Sequence, residues 1–402
     1  MSVNIKESKK LSLRTLFEIL FISTRLGLTS FGGPTAHLGY FHEEYVRRRK
    51  WIDEKSYAEL VALCQFLPGP SSSQVGIGIG VVRGGVIGGI ISFLGFTMPS
   101  VLALILFALT VDGLNLGEAG WIHGLKLVAV AVVAHAILGM AKNLAPDLTR
   151  KAIVLFGIAV ALLWETAYAQ IGIILFAAVL GSFIYRSNTE NEEPTTKFPI
   201  SKRFGAICLT LFFVLLIALP ILREVTKLEW VAVFDSVYRA GSLVFGGGHV
   251  VLPLLESEFV PTGWVSEEAF LAGYGVTQAV PGPLFTFAAY LGADMNGWIG
   301  GILATLAIFL PAFLLVFGAL PFWNELRQNS KIKGAFIGVN AAVVGILIAA
   351  FYQPIFITSV FLPIDFVLAA ILFSMLQFWK CPPWVIVVTG VVGGIILQYM
   401  NL

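Results

Sequence analysis

The sequence predicts an all-α polytopic membrane protein: two inverted-topology repeats with broken, re-entrant helices and one linking transmembrane helix. Three observations predict it. Hydrophobic residues make up 57% of the 402, charged residues only 12%, and the mean hydropathy is +0.86; soluble domains carry about 25% charge. Motifs of the first half recur in order in the second. The Lys/Arg bias of the loops reverses between the two copies. This composition excludes a soluble enzyme on an anchor, a disordered chain, a coiled coil and a disulfide scaffold. The net charge of +2 says little about partners.

The elements follow in chain order. Met1 to Lys10 is polar and lacks the apolar core and cleavage site of a signal peptide, so insertion is expected to rely on the first membrane segments. A spanning helix needs about 20 mostly apolar residues. Full-length apolar segments run over about 86–111, 121–141, 150–166, 168–185, 204–221, 298–322, 333–352, 357–378 and 383–400. The stretches 12–31, 33–46 and 53–92, with counterparts near 230–260 and 266–296, are apolar but broken by glycine and proline. RSNTENEEPTTKFPISKR, 186–203, reads as a solvated linker. Three domains result: repeat one over 1–186, a linker with the extra helix over 187–228, and repeat two over 229–402.

The repeat is ordered. RLGLTSFGG (Arg25 to Gly33) returns as RAGSLVFGG (Arg239 to Gly247). Trp51, Glu54 and Gln65 return as Trp264, Glu267 and Gln278, and Pro68-Gly69-Pro70 as Pro281-Gly282-Pro283. Ile87 to Ile90 returns as Ile299 to Ile302, and Pro99 as Pro311; the separation drifts only from 214 to 212. Segment 204–221 belongs to neither copy, and one extra span turns the second copy over. Cytoplasmic loops carry excess Lys and Arg. Arg47 to Lys50 faces the uncharged Val260 to Gly263, whereas Arg327, Lys331 and Lys333 face an acidic loop with Asp112 and Glu118. Only Arg223 and Lys227 dissent. The halves are therefore expected to be inverted, with the N-terminus cytoplasmic and the C-terminus extracytoplasmic. Inverted repeats enclosing a midplane site are a transporter architecture.

Pro-Gly-Pro must break a helix, because proline removes a donor and clashes with the preceding turn. Broken backbone at membrane depth is tolerated only where protein or a wet cavity surrounds it. Pro68, Gly69, Pro70 and Pro281, Gly282, Pro283 are thus expected at the turns of re-entrant hairpins; a plain loop is the alternative. Ser71, Ser72 and Ser73 open the next helix, where free N–H groups and the helix dipole favour anions; ordinary capping would also explain them. The matched start retains only Thr286. Gly32, Gly33 and Gly246, Gly247 mark a second pair of bends, or else close helix packing. Gln65 and Gln278 precede the proline breaks.

Arg25 and Arg239 are matched charges within apolar segments, where a charge usually faces a cavity or a partner. A guanidinium fork suits an oxyanion. The alternatives are snorkelling, or pairing with Glu18 or Asp235. Four groups after the glycine bends are candidates for proton coupling: His37, Glu44, His249 and Glu258. Glu44 and Glu258 read otherwise as surface or interface residues. His135 reads as a hydrogen-bonded core residue. Cys64, Cys208 and Cys381 are isolated, and no motif suggests a metal, a cofactor, ATP, hydrolysis or nucleic acid.

Phe31-Gly32-Gly33-Pro34, Trp51 and Gln65-x-x-Pro68-Gly69-Pro70, with the second set Phe245 to Gly248 and Gln278 to Pro283, resemble the chromate ion transporter family in its long two-domain form. Gly248 in place of Pro34 and the missing serine run depart from an equal pair. The resemblance implies chromate efflux from the cytoplasm across the bacterial inner membrane, driven by protons, with sulfate as a related dianion. The expected partners are oxyanion, protons and bilayer, and the reading leaves room for a homodimer. A passive oxyanion channel, a sulfate-type carrier and a membrane enzyme are the competing functions.

Overall fold

The computed structural model describes residues 12–31, 33–111, 120–164, 167–185, 198–245, 250–323 and 329–400. Every regular element among them is helical. In the first half, α1 (Leu13–Thr29) leads to α2 (Gly33–Phe41), which passes into a π-helical turn over His42–Arg48. Then come α3 (Glu54–Phe66), α4 (Ser71–Val111), α5 (Gly120–Leu144), α6 (Leu148–Leu163) and α7 (Ala167–Ile184). The linking helix is α8 (Lys202–Thr226). The second half holds α9 (Glu229–Leu243), α10 (Val251–Phe259), α11 (Glu267–Thr277) and α12 (Phe287–Ala319). It ends with α13 (Ser330–Ala350), α14 (Pro363–Gln377) and α15 (Pro383–Tyr399). Five of the described segments are long and apolar enough to cross a membrane, within Ser71–Thr110, Gly120–Leu144, Lys202–Thr226, Leu284–Phe322 and Ser330–Phe356. Each of the nine apolar segments read from the sequence overlaps a helix or helix limb among the described residues, though 357–362 lies ahead of its helix.

Helix α4 is a hairpin. Its backbone leaves helical values at Gly84 and Gly85, the latter at φ 63°. The Ser92 hydroxyl donates to the Gly76 carbonyl at 2.9 Å; sixteen residues of straight helix would separate them by about 24 Å. The two limbs can touch because Gly80 and Gly88 face each other without side chains. In α12 the matched break falls at Asn296 and Gly297, and Gly292 meets Gly300 in the same way. The first limbs, Ser71 to Arg83 and Phe287 to Met295, are thus short arms returning from the proline breaks.

The halves interlock. Helix α5 packs against α14 and α15, while α13 packs against α6 and α7. Both contacts are glycine-lined: Gly124 abuts the Gly390 backbone, and Gly181 abuts Gly334 and Gly338. With no hydrophobic drive between helices in lipid, such close backbone approach supplies the packing. Helices α4 and α12 meet at the centre, where Phe93 sits edge-on to Phe309. Matched glycines seat the outer helices. A methyl on Gly27 would meet the Phe96 carbonyl oxygen at 2.5 Å, and one on Gly241 the Ile308 carbonyl oxygen at 2.3 Å.

Candidate functional site

The two proline breaks and the two glycine bends meet across the halves. The Gly69 N–H donates to the Val244 carbonyl at 2.7 Å, and the Gly282 N–H donates to the Ser30 carbonyl at 3.0 Å. Gly69 matches Gly282, and Val244 matches Ser30, so one contact occurs twice in reciprocal form. Both break glycines have positive φ, 110° and 108°, a conformation glycine adopts without a steric penalty. Pro68, Pro70, Gly282 and Pro283 are buried, so neither break is a surface loop. The structure thus gathers Pro68, Gly69, Pro70, Pro281, Gly282, Pro283 and the bend at Ser30 and Val244 in the interior. Gly32, Gly246, Gly247 and His249 lie outside the described residues.

Around these breaks sits a group of buried polar side chains whose hydrogen-bonding capacity is unused. Ser30 Oγ, Ser73 Oγ, Thr97 Oγ1 and Gln278 Nε2 are buried atoms without a hydrogen-bond partner. A buried hydroxyl left unpaired costs about 1–3 kcal/mol, and such groups collect where a ligand completes them. His37, buried at the α2 side, shares a hydrogen bond between its Nδ1 and the Ser72 hydroxyl at 3.2 Å. It also packs edge-on to Phe96 at 5.3 Å. Ser71, Ser72 and Ser73 form the first turn of α4, and the Gln74 amide holds that turn by donating to the Pro68 carbonyl at 2.7 Å.

The matched positions in the second half are not equivalent. The Thr286 hydroxyl is spent on the Pro283 carbonyl at 2.7 Å. Gln278 is buried, but Gln65 is exposed. A cavity of about 500 Å³ reaches this region; Gly33, Gln278 and Gly282 line it together with His135 and Lys380. His135 is therefore a half-buried cavity residue, with a buried Nδ1 that has no partner, not the hydrogen-bonded core residue expected from its apolar helix.

The matched arginines are placed elsewhere. Arg25 bonds to Glu44, and Arg239 bonds to Glu258 at 3.0 Å. Since Glu44 matches Glu258, this too is one contact repeated. Both carboxylates are buried, at 3% and 9% exposure, which corrects the reading of them as surface residues. The expected Arg239–Asp235 pair is present as three hydrogen bonds of 2.8–3.1 Å. Glu18, by contrast, pairs with Arg49 and Arg83 rather than with Arg25. Neither arginine lines the cavity at the proline breaks.

Two residues that fitted no repeat pattern explain each other. Arg83 has no twin in the second half; it lies 5.2 Å from the Trp51 ring centre and bonds to Glu18. Arg223, the dissenter from the loop bias, lies 5.9 Å from the matched Trp264 ring and bonds to Glu258 at 3.0 Å and Asp235 at 3.5 Å. The linking helix α8 thus supplies the second half with the guanidinium that the first half carries on α4. Sequence reasoning did not place Ser30, Thr97, His135 or Arg223 in a site, because their burial, or for Arg223 its pairing with Asp235 and Glu258, is set by segments packing together and not by local sequence. Ser30, next to a duplicated bend where the twin is Val244, carried the only local signal.

With this geometry in place, the comparisons with known proteins are specific. The chain is 28% identical to the chromate transport protein of Pseudomonas aeruginosa, over 80% of this chain and 77% of that one. It is 26% identical to an uncharacterized transporter of Methanocaldococcus jannaschii, over 81% of each. A shorter uncharacterized transporter of Bacillus subtilis is 28% identical over 42% of this chain but 97% of its own length, as a single-repeat relative would be. No solved structure matches the chain. The model of the chromate transporter family matches twice, at residues 17–182 and 231–395, once per repeat; the chain belongs to the chromate transporter family.

Proposed function

We propose that the protein is a secondary carrier that exports chromate, and similar tetrahedral dianions such as sulfate, from the cytoplasm in exchange with the proton gradient. The observation that carries this reading is the set of buried, unpartnered polar atoms at the junction of the halves: Ser30 Oγ, Ser73 Oγ and Gln278 Nε2, beside the first turn of α4. Hydroxyl, amide and helix N-terminal donors suit an oxyanion, and such groups would pair on binding what they leave unpaired in its absence. The relatives named as chromate transport proteins support the choice of anion. The halves are read as inverted, with the N-terminus cytoplasmic. Rocking of one half against the other about the reciprocal glycine contacts then opens the site to each side in turn. The cavity past Lys380 and His135 supplies the aqueous approach. His37, bonded to Ser72 at the same turn, is the proton carrier in this scheme; Glu44 and Glu258 are held by arginine and serve as counter-ions instead.

Flux into proteoliposomes of the purified chain tests the reading. Chromate uptake that saturates, competes with sulfate and rises with an imposed pH gradient is expected. Non-saturating, purely conductive flux would identify a channel, and chemical conversion of the anion an enzyme; either would refute the carrier.

A further inference from the structure

Away from the proline breaks, the first half carries a second, open cavity of about 420 Å³, lined by Arg25, Arg48, Arg49, Lys50 and Arg83. Two carboxylates, Glu18 and Glu44, line it beside these five cations, and Glu43 pairs with Arg48 at 3.3 Å, leaving an excess of two positive charges. The pairs are used up unequally. Glu44 takes Arg25 and Arg49, and Glu18 takes Arg49 and Arg83. Arg48 is 63% exposed, bonds to Glu43 at 3.3 Å and approaches Glu44 only to 3.8 Å. Arg83 keeps a buried Nε–H with no acceptor, while its guanidinium is steadied over Trp51.

Lys50 adds an independent argument. Its φ is 53°, in the left-handed region, and the matched residue in the second half is Gly263 at 73°. The turn therefore wants glycine at this position, and the second half has it. The first half instead holds a lysine in a conformation that L side chains rarely adopt, and gains a charge on the wall of the cavity. Among the described residues, the second half's equivalent cluster is balanced: Arg223 and Arg239 face Asp235 and Glu258, two against two.

We propose that this basic cavity is a second, peripheral anion site that binds a tetrahedral oxyanion group, the fork of Arg83 and the ammonium of Lys50 being its principal donors. The group is either a free dianion, in which case the cavity is a capture vestibule, or the phosphate of an anionic lipid headgroup. Both present the same oxygens to the same guanidinium donors. The site does not depend on the central reading, since none of its residues lies at the proline breaks.

The test uses the full chain in nanodiscs of zwitterionic lipid, titrated calorimetrically with sodium sulfate, and, separately, native mass spectrometry of the detergent-purified chain with phosphatidylglycerol. Arg83→Lys keeps the charge and loses the fork; Lys50→Gly removes the ammonium and installs the residue that the second half carries at the matched turn. Each is expected to weaken one of the two ligands by about tenfold or more, as loss of a charge-assisted hydrogen bond does. Weakened sulfate binding assigns a free oxyanion; weakened lipid retention with sulfate unchanged assigns a headgroup. If neither variant changes either ligand, the site is overturned. Ser73→Ala is the control: sulfate heat lost there but kept in the cavity variants belongs to the central site.

Discussion

Replacing Ser73 by alanine should stabilise the protein and damage transport, a combination that separates a ligand contact from a structural one. Ser73 is 1% exposed and its hydroxyl has no partner. An unsatisfied buried hydroxyl costs about 1–3 kcal/mol, and removing one oxygen leaves little void. Ser73→Ala should therefore raise stability by roughly 1 kcal/mol or more. If the same hydroxyl donates to a bound dianion, the variant loses a charge-assisted hydrogen bond of about 1.5–3 kcal/mol, which is roughly a 10- to 150-fold weaker apparent affinity for the anion. Ser72→Ala is the internal comparison: its hydroxyl is engaged with His37 at 3.2 Å, so its loss should destabilise by about 1 kcal/mol. Unfolding in mixed micelles and chromate flux in proteoliposomes measure the two quantities on one preparation. Normal flux from Ser73→Ala, or a loss of stability equal to that of Ser72→Ala, would refute the reasoning.

Three further outcomes follow from the same geometry. Gly282→Ala should be harsher than Gly69→Ala: both impose left-handed strain of about 1–3 kcal/mol, but the new methyl at 282 lies 2.8 Å from Ser100 Oγ, whereas at 69 it meets the movable Gln74 amide at 3.1 Å; equal thermal stability of the two variants would argue against this difference between the two turns. Arg239→Lys should cost about 2–4 kcal/mol, because it strips hydrogen bonds from the fully buried Asp235, while Arg25→Lys should cost under about 1 kcal/mol since Arg25 is 44% exposed and makes a single ion pair; chemical unfolding that ranks them the other way would contradict this. Gly124→Leu should disrupt assembly of the two halves, since even a methyl there would meet the Gly390 carbonyl oxygen at 2.1 Å; a monodisperse, fully active Gly124→Leu protein would show that this contact is dispensable.

The helical layout was legible because each of its signals is local. Apolar runs mark the spans, Pro-Gly-Pro marks the breaks, and the ordered repeat ties Gly69 to Gly282 and Arg25 to Arg239 before any contact is seen. The further turns at Gly84-Gly85 and Asn296-Gly297 were not legible in the sequence, where 53–92 and 266–296 read only as apolar stretches broken by glycine and proline. The site was legible only in outline. The serine turn and Gln278 could be picked out as polar groups in apolar surroundings, but that Ser73 Oγ and Gln278 Nε2 lack partners is a property of the packed interior. The arginines show the limit most plainly. Arg25 stands five residues before a bend, which placed it near the broken backbone; its true partner, Glu44, is 19 residues on, across a bend whose direction spacing does not give. Arg223 carried no repeat signal at all, because α8 has no twin to compare it with.

The most direct test of the central claim is an experimental structure of the chain saturated with chromate or sulfate. Tetrahedral density between Pro68-Gly69-Pro70 and Pro281-Gly282-Pro283, within hydrogen-bonding reach of Ser73 and Gln278, is the predicted result. Saturating anion with those polar groups still unpaired, and density nowhere between the two proline breaks, would contradict it.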